Sequence, residues 1–201
     1  MIRLLLADDQ ALVRGALTAL LNLEPDFEVV SEVGSGDAVV AAVLEHHPDV
    51  ALIDVEMPGL DGISATAEVR AAAPDTRVLI VTTFGRPGFL RRALQAGASG
   101  FVVKDTPASQ LADAVRRIHQ GLRVVDPALA TDSLVAGESP LTARESDVLR
   151  AARTGSSVAT MARALFLSEG TVRNHLSAAI GKTGAGNRAE AVLIAEGNGW
   201  L

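Results

Sequence analysis

The chain has 201 residues, of which 48% are hydrophobic and 21% charged, enough apolar surface for one large or two small cores and no compositional case for disorder. With no Cys at all it has no disulfides, thiolate metal sites or cysteine nucleophiles, and with no apolar run long enough for a membrane span and an opening Ile2–Ala7 too short and acidic for a signal peptide, a cytoplasmic protein without membrane contact is expected. The net charge of −6 argues against a uniformly basic nucleic-acid binder but hides an asymmetry: residues 1–138 hold 11 Lys and Arg against 19 Asp and Glu, a net of −8, while residues 139–201 hold 7 against 5, a net of +2.

From residue 1 to about 120, short β-rich runs alternate with longer helical patterns, the order expected of a parallel sheet wrapped by helices. Strands are expected over 2–7, 27–33, 50–54, 77–82 and 100–103, and helices over 11–23, 36–46, 62–72, 87–96 and 107–120. The run Val78-Leu79-Ile80-Val81 is apolar at both parities, which suits a parallel strand buried on both faces. Thr106 is expected to cap the last of these helices, with Pro107 at its first position. The fold class is α/β, a flavodoxin-like doubly wound domain with five parallel strands, spanning 1–120. Residues 121–138 read as linker, with a short helical piece near 128–135. An all-α domain of four helices follows over 139–201, with helices at 143–153, 158–166, 169–181 and 188–196. Thr142 with Glu145 forms a capping box, and Asn187 with Glu190 repeats the pattern.

Asp8 and Asp9 close the first expected strand, Asp54 the third, Thr82 the fourth and Lys104 the fifth. In an open doubly wound sheet the carboxyl edge is where ligands bind, at the point where strand order reverses. Three carboxylates gathered there repel one another unless a hard divalent cation neutralises them, and Mg²⁺ is the natural candidate. A phosphoryl group placed on one of them then needs a cation and a hydroxyl donor, roles open to Lys104 and Thr82. Lys104 stands out because only two of the 18 cations are Lys, and a compact ammonium suits a tight oxyanion pocket. The plain alternative is that strands often end in polar residues; five such residues at strand ends together make it the weaker one. Gly34-Ser35-Gly36 reads as a turn, and His46-His47 as the end of a helix rather than a metal site.

The stretches Leu6-Ala7-Asp8-Asp9, Leu52 to Gly62 (Leu-Ile-Asp-Val-Glu-Met-Pro-Gly-Leu-Asp-Gly), Val81-Thr82-Thr83 and Gly97 to Lys104 together resemble the receiver domain of two-component systems. That resemblance implies Asp54 as the phosphoacceptor and Mg²⁺ held by Asp9, Asp54 and the backbone carbonyl of Glu56, with Asp8 nearby through water. It further implies Lys104 as the phosphoryl counter-ion and Thr82 with Phe101 as a switch pair, Phe101 filling space that Thr82 vacates. A sensor histidine kinase is the implied phosphoryl donor.

In the basic part, the expected helices over 158–166 and 169–181 are joined by a turn with Ser168 as cap, a helix-turn-helix layout. Val172, Leu176 and Ile180 recur at fours and face a core. Thr171, Arg173, Asn174, His175, Ser177 and Lys182 carry the polar chemistry: Arg pairs with guanine and Asn with adenine, while His, Ser and Lys reach phosphates. A solvated face on a protein-binding module is the alternative. Leu141-Thr142-Ala143-Arg144-Glu145, Leu165 to Ser177, Lys182-Thr183-Gly184 and Asn187-Arg188 resemble the DNA-binding domain of NarL/FixJ (LuxR-type) response regulators. This implies that Arg173, Asn174 and Ser177 face bases and that Lys182 and Arg188 lie on the phosphate side. With residues 83–89 and the terminal Gly199-Trp200-Leu201 included, the chain is most similar to the DesR subgroup of that family.

The expected function is therefore a phosphorylation-dependent DNA-binding regulator rather than an enzyme. Its expected partners are double-stranded DNA with paired half-sites, a second copy of the chain on phosphorylation, and RNA polymerase as a further candidate. An Mg²⁺-dependent phosphohydrolase with Asp54 as nucleophile fits less well, because Glu56 is longer than the Asp such chemistry favours as general acid.

Overall fold

The computed structural model describes residues 1–83, 87–126, 129–131 and 139–201. They form two compact units divided near residue 131.

The first unit contains β1 (Ile2–Ala7), α1 (Ala11–Leu21), β2 (Phe27–Val33), a 3₁₀ turn (Gly36–Ala38), α2 (Val39–His46), β3 (Val50–Ile53), α3 (Gly62–Ala72), β4 (Arg77–Thr82), α4 (Pro87–Gln95), β5 (Gly100–Val103), α5 (Ala108–His119) and β6 (Val124–Val125). Every strand pairing is parallel, in the order β2-β1-β3-β4-β5-β6. Order reverses at β1 and β3, so the crevice at their carboxyl ends is the topological switch point. Alternate residues feed two cores. Leu5, Ala7, Ala51, Ile53, Val78, Ile80 and Phe101 pack with α2, α3 and α4 on one face. Leu4, Leu6, Val50, Leu52, Leu79, Val81 and Val102 pack with α5 and the end of α1 on the other. Burial on both faces is why these strands read as continuous apolar runs.

Four local expectations change. The sheet has six strands, not five, because Val124 and Val125, in the expected linker, pair with Gly100 and Phe101. The first unit accordingly runs past residue 120; the helical piece expected near 128–135 lies largely outside the described residues, as do residues 84–86 of the segment shared with the DesR subgroup. The helix expected from residue 36 opens as a 3₁₀ turn and becomes α-helical at Val39. Pro107, not Thr106, is the N-cap residue of α5, since the Thr106 amide turns back to the Val103 carbonyl at 3.0 Å and a Pro there forfeits no donor.

The second unit holds α6 (Ala143–Ala152), α7 (Val158–Ala164), α8 (Glu169–Thr183) and α9 (Arg188–Gly197). Leu149, Met161, Val172, Leu176, Ala179 and Ala195 anchor its core. Each helix start is capped by a side chain: Thr142 with a complete capping box, Ser157, Ser168 and Asn187. The Asn187 pattern is only half a box, because the Glu190 carboxylate accepts from Gly186, one residue before the cap. Gly184 in the left-handed region, φ 69°, ends α8.

Candidate functional site

β3 ends at Ile53, so Asp54 is the first residue past the strand, and its amide still bonds the Ala7 carbonyl at 2.8 Å. That bond fixes the third strand end against the first and puts Asp54 beside Asp8. Both carboxylates are nearly removed from solvent, Asp8 at 3% and Asp54 at 4% exposure. Lys104 is held in place by its own amide on the Thr82 carbonyl at 2.8 Å, and its Nζ reaches Asp8 Oδ2 at 2.7 Å and Asp54 Oδ2 at 2.9 Å. Asp9 is exposed at the rim, and the ligand oxygens of Asp8, Asp9 and Asp54 all lie within 4.8 Å of one another. Burial pushes the Asp54 carboxyl above its usual value, against the opposing pull of Lys104. Burial alone would depress Lys104, but hydrogen bonds from its ammonium to the two carboxylates outweigh it and hold the amine above its ordinary value.

The loop from Asp54 to α3 has no room to relax. A Cβ on Gly62 would sit 1.8 Å from the Asp54 carbonyl oxygen, and one on Gly36 would sit 1.7 Å from that of Leu60. Asp61 caps α3 by accepting from the Ile63 and Ser64 amides at 3.0 and 2.9 Å. Glu56 is exposed on this loop. An all-oxygen cluster of this compactness fits a small hard cation. Asp8 already accepts from the Gln10 amide through Oδ1 and from Lys104 through Oδ2, which leaves Asp9 and the second oxygen of Asp54 as the better direct ligands.

Thr82 is buried at the end of β4. Phe101 is fully buried, at 0% exposure, among Ile80, Leu90 and Ala93. Arg14 of α1 was not singled out in the sequence; its guanidinium donates to the Asp8 carbonyl and lies 3.5 Å from Glu32, bracing the β1 and β2 ends together. No local pattern marks a pairing between a helix and a strand end.

In the second unit, Arg173, Asn174, Ser177 and Lys182 are exposed on α8, while Thr171 and His175 are half-buried. With Gly170, the exposed Arg173, Asn174 and Ser177 follow helical spacing and form one stripe, with Lys182 off to its side; Val172, Leu176 and Ala179 form the buried stripe. The Thr171 hydroxyl is 2.8 Å from that of the cap Ser168. Two of the residues expected on the phosphate side have partners inside the domain: Lys182 Nζ lies 2.7 Å from Glu145 and Arg188 donates to the Ser156 carbonyl at 2.9 Å. Arg173 pairs with Glu169 at 2.7 Å on the helix surface.

A parallel sheet with an acidic, Lys-bridged pocket at its switch point, followed by a capped helix-turn-helix, defines a receiver joined to a DNA-binding module. The family model for the response regulator receiver domain matches residues 4–116, and that for bacterial regulatory proteins of the luxR family matches residues 139–195. The chain is 43% identical over 201 residues to the uncharacterized transcriptional regulatory protein YvfU of Bacillus subtilis and 40% identical to the transcriptional regulatory protein DesR of the same organism, with all of each chain covered. Among solved structures, the response regulator ChrA of a heme-sensing two-component system is 35% identical, with 97% of this chain and 96% of that one covered and a TM-score of 0.59. The protein belongs to the LuxR-type response regulators, DNA-binding transcription regulators of two-component systems. No helix among the described residues is long and apolar enough to cross a membrane.

Proposed function

We propose that Asp54 accepts a phosphoryl group from the phosphohistidine of a sensor kinase and that this controls DNA binding by α8. The observation that carries it is the bridge from Lys104 to both Asp8 and Asp54 beside Asp9. Asp9, Asp54 and the Glu56 carbonyl, with Asp8 close by, would hold Mg²⁺, which would neutralise the carboxylates and the incoming phosphoryl oxygens. A carboxylate oxygen of Asp54 forms the new O–P bond as the donor's N–P bond breaks, and the imidazole leaves with that electron pair and takes a proton from solvent. Lys104 opposes the upward push of burial on Asp54 and then pairs with the phosphoryl oxygens. Thr82, at the neighbouring strand end, supplies a hydroxyl to the new group; the buried Phe101 links this edge to α4.

At the other end, Arg173, Asn174 and Ser177 read base edges from the exposed stripe of α8, with Thr171, His175, Lys182 and Arg188 at its flanks. Pairing of two copies on adjacent half-sites raises the affinity of a module with little net charge, and RNA polymerase is the partner such a bound dimer would address. On this reading the protein works in the cytoplasm as a regulator, and the phosphohydrolase alternative is disfavoured because Glu56 is longer than the Asp such chemistry uses as general acid.

Incubation with acetyl phosphate and Mg²⁺ followed by intact-mass measurement tests the receiver half. One phosphate is expected on the parent protein and none on Asp54→Asn. Labelling that survives this substitution, or removal of Mg²⁺, would overturn the assignment.

A further inference from the structure

Six of the seven cations in residues 139–201 have a partner in the second unit. Arg144 and Arg150 pair with Asp147, Arg153 with Glu196, Arg173 with Glu169, Lys182 with Glu145, and Arg188 with the Ser156 carbonyl. Arg163, exposed on the last turn of α7, is the one left without any among the described residues. Three residues further on stands Phe166, in the turn of the helix-turn-helix and 96% exposed.

Phe166 breaks two rules at once. Its φ is +54°, the left-handed region that costs a residue with a Cβ roughly 1 kcal/mol and that Gly occupies freely. The turn is a Schellman motif, with the Phe166 amide on the Arg163 carbonyl at 3.3 Å and the Leu167 amide on the Ala162 carbonyl at 2.9 Å, and its left-handed position is normally Gly. The ring gains no burial in return. A costly aromatic with no packing benefit is the signature of a residue kept for a contact outside the domain.

We propose that Arg163 and Phe166 form a second DNA contact, to the sugar-phosphate wall of the groove that α8 enters. In a helix-turn-helix the first helix crosses the DNA backbone while the N-terminal turn of the second meets the bases. The end of α7 and the turn after it are continuous with that position: Ser168, the cap of α8, is two residues beyond Phe166. A free guanidinium suits a phosphate, and an apolar ring suits deoxyribose or a thymine methyl. The left-handed conformation fixes the direction in which the Cα–Cβ bond leaves the turn, so the backbone need not reorder on binding. The proposal rests on α8 being the DNA-facing helix.

The test uses the full chain, activated with beryllofluoride and Mg²⁺, and a duplex that the parent protein selects from a random-sequence pool. Phe166→Gly is expected to melt no lower than the parent, because Gly suits the turn, yet to bind the duplex about tenfold more weakly with an unchanged salt dependence. Arg163→Gln is expected to flatten the slope of log K against log salt by about one. Phe166→Leu, apolar but smaller, should recover part of the loss. Undiminished binding by Phe166→Gly overturns the proposal, as does an unchanged slope in Arg163→Gln. Loss of transcription by Phe166→Gly with DNA affinity intact also overturns it, and assigns the patch to a protein partner. If the parent selects no duplex, the DNA-facing reading of α8 fails with it, an outcome distinct from a parent that binds while its variants bind equally well.

Discussion

Glu145 has two jobs in one carboxylate. It accepts from the Thr142 amide at 2.7 Å, completing the capping box of α6, and it holds Lys182 at the end of α8 at 2.7 Å. Burial works to raise its pKa, but the Lys182 ammonium and the Thr142 donors outweigh it and hold the carboxyl below the usual Glu range. A carboxyl whose pKa is depressed on folding stabilises the native state above its unfolded value, near 4.5, and that stability is lost as pH falls through the folded value. Glu145→Gln should therefore lower the stability of the helical domain at pH 7 by about 1 kcal/mol, allowing for the partial exposure of Lys182. The deficit should shrink as the pH drops below about 4.5. Denaturant melts followed by circular dichroism at pH 7 and pH 3.5 check this, and an equal deficit at both would mean that the charge is not involved. Of these two jobs only the cap shows in the sequence, because Thr142 and Glu145 are three apart; the tie to Lys182 crosses 37 residues and has no local pattern. The pocket was legible for the opposite reason. Asp8, Asp54, Thr82 and Lys104 each follow a recognisable apolar strand, and a parallel sheet brings such ends to one edge.

At the level of elements, the strands and helices could be read because two-sided burial and end-capping leave strong local marks. What escaped was anything held by tertiary contact alone: the two-residue β6, the 3₁₀ start of α2, and the packing of the loop between β3 and α3. That loop governs the phosphoacceptor. With the Asp54 carbonyl 1.8 Å from where a Cβ on Gly62 would lie, an Ala there must displace either the N-terminus of α3 or the backbone that carries Asp54. Gly62→Ala should destabilise the receiver by about 3 kcal/mol. It should also slow acetyl phosphate labelling beyond what the unfolded fraction accounts for. Labelling at the parental rate per folded molecule would mean that α3 alone gives way.

For the molecule as a whole, the exposed large apolar side chains among the described residues are spread over several elements, with Leu44, Leu122, Phe166 and Leu193 lying away from α1. Four apolar residues of α4 and α5 could by type serve either a core or a partner: Leu90, Leu111 and Val115 are buried in the receiver core, and Leu94 is half-buried against it. Leu12, Leu20 and Leu23, on α1 and just beyond it, are exposed. Sedimentation at equal micromolar concentration, with and without beryllofluoride, should show a larger dimer fraction in the activated sample; identical fractions with unchanged operator affinity would mean that activation does not work through pairing. The sixth strand bears on the integrity of the receiver in a different way. By pairing with Gly100 and Phe101 it occupies hydrogen-bonding groups that β5 would otherwise present as a bare sheet edge. A fragment cut at residue 120, where periodicity alone would end the domain, leaves that edge open to strand addition by neighbouring molecules. A fragment cut at 131 keeps it covered. Light scattering on the two at the same concentration should find aggregation in the shorter one only, so the segment that reads as a linker also acts as a guard against self-association.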